Sequence, residues 1–203
     1  DDLLVMLLRN RGNGTFDPVE IIHQANGQPG RLSGIPNPIT LGDYNGDGRL
    51  DIAGRTGGDG KLWELRNTPT GFQPRNLSPI WLGNVSFWAM HAADVDQDGD
   101  DDIVFGSRSV SGNPDSEYLG FFRIQAGAGQ LQKVYVPTGG RHWYFLSLGD
   151  YDQDGDIDIV RNDDDREGLF YHEFRNGSFG PSVELAAPGT DEYIPATTGR
   201  DFD

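Results

Sequence analysis

Cysteine is absent from the 203 residues, which excludes disulfides. Basic residues are scarce: 16 Lys and Arg stand against 32 Asp and Glu, for a net charge of −16. That balance argues against nucleic acid or an anionic membrane as partner, because both need basic faces. No apolar run approaches the roughly 18 residues of a membrane span. The first residues, Asp1-Asp2, carry no basic n-region, so no signal peptide is expected within this stretch. A mature or excised segment would look the same. The four histidines (His23, His91, His142, His172) show no metal-ligand spacing with one another, and structural roles are expected for them. Nucleophile elbows, phosphate loops and dinucleotide fingerprints are also missing. Glu64, Glu117 and Glu173 show none of the pairing a glycosidase needs.

What is present is glycine (29 residues), proline (12) and one stretch that occurs three times. The copies are Asp43-Tyr44-Asn45-Gly46-Asp47-Gly48-Arg49-Leu50-Asp51-Ile52, then Asp94-Val95-Asp96-Gln97-Asp98-Gly99-Asp100-Asp101-Asp102-Ile103, then Asp150-Tyr151-Asp152-Gln153-Asp154-Gly155-Asp156-Ile157-Asp158-Ile159. All share one frame: a carboxylate or amide at positions 1, 3 and 5, glycine at 6, aspartate at 9. Side chains at 1, 3 and 5 converge as the backbone curls, and the glycine permits the sharp turn. The carbonyl of residue 7 (Arg49, Asp100, Asp156) is expected to face inward as a further ligand. Oxygen donors alone suit calcium better than zinc or a redox metal. An EF-hand would need a bidentate glutamate at position 12, and Gly54, Phe105 and Arg161 stand there. Closure is therefore expected from Asp51, Asp102 and Asp158. Asp/Gly-rich hairpin turns without metal are the plainer alternative, and three copies in one frame favour calcium. Three bound ions would bring the formal charge to −16 + 6 = −10.

These loops resemble the calcium loops of FG-GAP/VCBS repeats, the blades of integrin-α-like β-propellers. The resemblance implies four-stranded blades with calcium between the first and second strands. It brings no catalytic residue and no substrate with it.

The position-9 aspartates recur at spacings of 51 and 56 residues, and such a period suits propeller blades. Residues 1–203 are read as one all-β domain, a propeller or propeller segment of about four blades, three with complete calcium loops. Inner strands are expected at Pro38 to Gly42, Ala89 to Ala93 and Phe145 to Gly149. Second strands follow at Leu50 to Arg55, Asp102 to Ser107 and Ile157 to Asn162. Third strands are expected at Lys61 to Arg66, Tyr118 to Gln125 and Leu169 to Arg175. Fourth strands are placed near Phe72 to Leu77, Leu131 to Val136 and Phe179 to Leu185. Asp2 to Asn10 and Asp17 to Ile22 read as the last two strands of an incomplete blade. At the far end, Asp201 and Asp203 occupy the first two ligand positions of a fourth calcium loop, to be completed by residues outside the chain. Head-to-tail self-association through such half-loops is one consequence.

Ligand contact is expected on the loops entering the inner strands, which are aromatic. Phe87 and Trp88 precede one strand, Arg141, His142, Trp143 and Tyr144 another, and Tyr193 a third. An aromatic face beside an arginine holds sugar rings or peptide side chains, yet the same rings could wedge neighbouring blades as core. Sequons at Asn13, Asn76, Asn84 and Asn176 are glycan acceptors in a secreted eukaryotic protein, although two coincide with hairpin turns. The reading is an extracellular, secreted or cell-surface module for adhesion, lectin-like binding or assembly, with a glycan or extracellular protein as ligand. The alternatives are a lyase-like polysaccharide enzyme using Arg141, His142 and Tyr144, or its accessory propeller, and a structural repeat subunit.

Overall fold

Short runs of β-branched, aromatic and leucine residues flank each Asp/Gly loop, and such runs suit half-buried pleated strands. The computed structural model describes residues 2–4, 6–22, 31–33, 38–55, 61–77, 85–109, 118–125, 128–135, 146–163 and 168–186. Among them every regular element is a β-strand.

At the amino end, β1 (Asp2–Leu4) and β2 (Met6–Leu7) pair antiparallel with β4 (Arg31–Ser33) and β3 (Glu20–Ile21) respectively. Three four-stranded antiparallel meanders follow. The first comprises β5 (Ile39–Gly42), β6 (Asp51–Arg55), β7 (Leu62–Thr68) and β8 (Gly71–Asn76). The second comprises β9 (Val85–Ala93), β10 (Asp102–Ser109), β11 (Tyr118–Gln125) and β12 (Ala128–Tyr135). The third runs β13 (Leu146–Gly149), β14 (Asp158–Asp163), β15 (Gly168–His172), then β18 (Val183–Ala186), with the small hairpin β16 (Phe174–Arg175) and β17 (Ser178–Phe179) inserted. Each Asp/Gly loop joins the first and second strands of its meander. Its position-9 aspartate lies opposite the last residue of the inner strand: Asp51 faces Gly42, Asp102 faces Ala93, Asp158 faces Gly149.

The core sits in the seams between successive sheets. One seam gathers Tyr44, Ala53 and Leu62 from the first meander against Phe87, Phe105, Phe122 and Ile124 from the second. The next packs Val104, Leu119 and Phe121 against Leu146, Ile159, Phe174 and Phe179. Alternate residues of β10 and β11 thus go to opposite seams, as period-2 side chains must when both faces of a sheet are covered. A third, smaller cluster of Ile22, Ile52 and Leu65 joins β3's end to the first meander. Edge-to-face contacts tie the seams. The Phe121, Phe174 and Phe179 rings meet at centroid distances of 4.9 to 5.8 Å, the separation such pairs prefer. Gly120 makes room for Phe105: a Cβ there would stand 2.4 Å from Phe105 Cζ.

The expected strand frame is met with four differences. Strand β4 was not anticipated. The third strand of the last repeat breaks at Glu173, because the Phe174 N–H bonds to Asp158 Oδ1 (2.9 Å) and the Gly180 N–H bonds to the Glu173 carbonyl (2.8 Å). Its fourth strand is divided likewise. Finally, β9 begins at Val85, so Phe87 and Trp88 lie within a strand rather than in a loop leading to it. Phe87 is buried, its ring 4.3 Å from that of Phe105, which makes it core.

Candidate metal loops

Three residues per loop set its backbone. Position 1 accepts from the amides ahead of it. Asp43 receives the N–H of Asp47 (3.0 Å) and Gly48 (2.6 Å), Asp94 those of Asp98 (3.0 Å) and Gly99 (3.1 Å), and Asp150 that of Gly155 (3.1 Å). Position 5 accepts from the amide of position 7 in all three copies, at 3.0 Å each. Position 4 is left-handed throughout: Gly46 (φ 65°), Gln97 (φ 58°) and Gln153 (φ 63°). Two non-glycine residues there are uncommon and show how tightly the loop is determined.

Position 9 has a second duty. Asp51, Asp102 and Asp158 are completely buried. One carboxylate oxygen of each accepts from a third-strand or third-strand-end amide: Asn67 (2.6 Å), Ile124 (2.7 Å) and Phe174 (2.9 Å). The other oxygen reaches back to the loop, taking the Asn45 amide (2.9 Å), the Val95 N–H (3.2 Å), or the Tyr151 N–H (3.2 Å) with the Tyr171 hydroxyl (2.9 Å). Each aspartate therefore clamps loop to sheet. Burial raises all three carboxyls above their usual range, that of Asp102 to about 7.

Three groups of carboxylates bring one oxygen each within 4.8 Å of one another among the described residues: Asp94, Asp96 and Asp98; Asp150, Asp152 and Asp158; Asp152, Asp154 and Glu173. The expected ligands of the second and third loops are thus largely gathered, while Asp100, Asp102 and Asp156 stand outside these groups. Glu173 was not foreseen. It enters because the β15 break turns it toward the loop, a long-range effect with no local sequence signal. The first loop differs: Asp43, Asp47 and Asp51 form no such group, and Arg49 pairs with Asp47.

An oxygen-only set matches a hard cation. In the second loop Asp96 Oδ1 is buried without a hydrogen-bond partner. Its other oxygen stands 2.7 Å from Arg123 Nε, an ion pair without the alignment of a hydrogen bond. Burial raises the Asp96 carboxyl against the pull of Arg123. A buried carboxylate oxygen left unmatched is costly unless something satisfies it, so the second loop fits a cation.

Adjacent loops touch. The Asp43 N–H donates to Asp101 Oδ2 (2.7 Å) and the Asp101 N–H to the Asp43 carbonyl (2.8 Å). Gln97 Nε2 donates to the Gly155 carbonyl (2.7 Å) and Asp156 Oδ1 (3.0 Å). A Cβ at Gly46, the equivalent of Gln97, would stand 3.0 Å from Asp100 Oδ1. Position 4 of one loop thus abuts positions 6 and 7 of the next, twice.

Elsewhere, His172 is buried between Arg161 Nε (3.0 Å) and the Gly180 carbonyl (3.2 Å). Burial first, and the Arg161 charge second, lower it to about 4. It is a structural histidine. Asn176 and Gly177 (φ 54° and 80°) form the β16–β17 turn, with both central residues left-handed as such hairpins require. The side chain of Trp88 and residues Arg141, His142, Trp143, Tyr144, Tyr193, Asp201 and Asp203 fall outside what the structure describes.

Meanders joined at an Asp-rich loop between first and second strands, stacked sheet against sheet, define a class of repeat protein consistent with β-propeller architecture. The FG-GAP-like repeat model matches residues 2–54 and 43–105. The chain belongs to the FG-GAP-like repeat family. Its third meander carries the same loop frame beyond the matched span. No curated protein matches the chain.

Proposed function

We propose that this chain is an extracellular calcium-binding propeller module whose metal loops hold successive blades in register for adhesion, lectin-like recognition or assembly. The observation that carries the reading is Asp96: a buried carboxylate oxygen without a partner, inside a group of three carboxylates. Asp94, Asp96 and Asp98 would hold one ion, and Asp150, Asp152, Asp154 and Asp158, joined by Glu173, would hold another. A bound calcium would supply charge neutralisation and cross-linking, no bond-making chemistry. Millimolar calcium outside cells suits such sites, and no helix among the described residues is long and apolar enough to cross a membrane.

Isothermal titration of the purified chain with calcium tests this. Binding should be seen, with Asp98→Ala and Asp154→Ala each removing one ion. No heat and no bound ion would overturn the reading. Recognition belongs to Trp88, His142, Trp143 and Tyr193, with Arg141 as the adjacent cation, rather than to the committed loop carboxylates. Trp143→Ala should weaken glycan or protein binding while leaving the calcium count intact; unfolding instead would make that ring core.

A further inference from the structure

The position-9 clamps put the repeats in one register beyond the loops. Asp51, Asp102 and Asp158 accept from the amides of Asn67, Ile124 and Phe174. The residues just before those amides are Arg66, Arg123 and Glu173. One equivalent position thus carries opposite charges beside the second and third loops. At the second loop, Arg123 Nε stands 2.7 Å from Oδ2 of Asp96, a position-3 carboxylate whose side chain is only 9% exposed. The same guanidinium is held from its other side, Nη2 donating to the Gly177 carbonyl at 3.4 Å. Asp96 Oδ1 stays unmatched, so the loop keeps a place for a cation with the arginine present. At the third loop, Glu173 brings an oxygen within 4.8 Å of those of Asp152 and Asp154. Arg175 pairs with Glu173, but it is largely exposed, and water screens such a pair. Among the described residues no cation pairs with Asp150, Asp152 or Asp154. Arg66 bonds to Glu64 Oε1 (2.7 Å), so the first loop takes no part in the comparison.

We infer that this position grades the calcium affinity of the two loops: Arg123 makes the second the weaker site, and Glu173 makes the third the stronger. The inference rests on calcium binding as proposed above. Arginine stays protonated at all working pH, so its repulsion of an incoming cation is permanent. An ion entering the second loop must share Asp96 with that guanidinium. One entering the third meets an added oxygen donor and an added negative charge. Affinity at calcium sites follows the count of charged ligands, and exchanging a cation for a carboxylate changes the local charge by two. The third loop therefore fills first, and the second responds to calcium over a higher range.

A calcium titration followed by amide NMR reads the loops separately. The Gly99 and Gly155 amides donate to the position-1 carboxylates Asp94 and Asp150, at 3.1 Å each, and so report their own loops. In the purified chain the Gly155 resonance should reach its midpoint at about tenfold lower free calcium than that of Gly99. Arg123→Gln should move the Gly99 midpoint about tenfold lower, while Arg123→Lys, which keeps the charge, should hold it near the wild-type value. Glu173→Gln, at a partly exposed side chain, should raise the Gly155 midpoint and spare that of Gly99. Melting in excess chelator separates this role from a structural one: Arg123→Gln should melt lower than wild type and yet bind calcium more tightly. Coincident midpoints in the wild type, Gly99 moving first, or a Gly99 midpoint unmoved by Arg123→Gln would each overturn the inference and leave calcium binding standing. If neither glycine responds to calcium, the function proposed above falls, and the grading falls with it.

Discussion

Withdrawing calcium should loosen this protein by an amount that can be worked from its loops. Two loops gather three or more carboxylates each, and in the second Arg123 reaches only one oxygen of Asp96. At a free concentration 100 times the dissociation constant, each independent site adds about 2.7 kcal/mol, so two add about 5.4 kcal/mol. For a chain of this size roughly 2–4 °C of melting temperature accompanies each kcal/mol, giving a drop of about 11–22 °C in excess chelator. Circular dichroism near the β band, or dye-based thermal denaturation, reads this directly. Single variants apportion it. Asp98→Ala and Asp154→Ala each forfeit one ion and should lose about half of the calcium-dependent shift. Equal melting curves with calcium and with chelator would refute the reasoning.

Gly120→Ala forces a methyl against the Phe105 ring, already held by Phe87 and Tyr118. Overpacking of this kind costs about 1–3 kcal/mol, with or without calcium, and Phe105→Leu should partly restore stability in the double variant; additive losses would place the clash elsewhere. Asp158→Ala removes the acceptor for the Phe174 and Tyr151 amides and the Tyr171 hydroxyl. It should therefore lower the melt in chelator, where metal loss is irrelevant; an effect confined to calcium would make position 9 a ligand alone. His172 is neutral in the folded chain, so its contribution is fully present above its ordinary value of 6.5 and lost as pH falls toward about 4. An NMR titration showing its ring protonating near 6.5 in the folded state would contradict the buried Arg161 contact. Gln97→Ala cuts the tie from the second loop to Gly155 and Asp156. It should weaken calcium binding at the third loop without lowering the ion count, and an unchanged titration would make that tie ornamental.

Much of this fold was legible because the Asp/Gly frame is local. Positions 1, 5 and 6 act on amides within five residues, and so the loops and the strands on either side of them follow from spacing alone. What escaped is non-local. The pairing of Asp2–Leu4 with Arg31–Ser33 spans nearly thirty residues and leaves only three residues of ordinary polarity as its mark. Glu173 approaches the third loop because Asp158 captures the Phe174 amide and breaks the strand, an event written in the partner rather than in the glutamate. The same holds for Gln97, whose partners lie 58 and 59 residues away. Arg49 is the opposite case: its charge at position 7 was visible from the start. Only the fold brings its Nε to the Asn67 carbonyl, 18 residues on, while the guanidinium pairs with Asp47.

The most direct test is a crystal structure grown in calcium, with anomalous difference density collected to locate the ions. The account predicts one peak among Asp94, Asp96 and Asp98 and one among Asp150, Asp152 and Asp158. Empty second and third loops at millimolar calcium would contradict it.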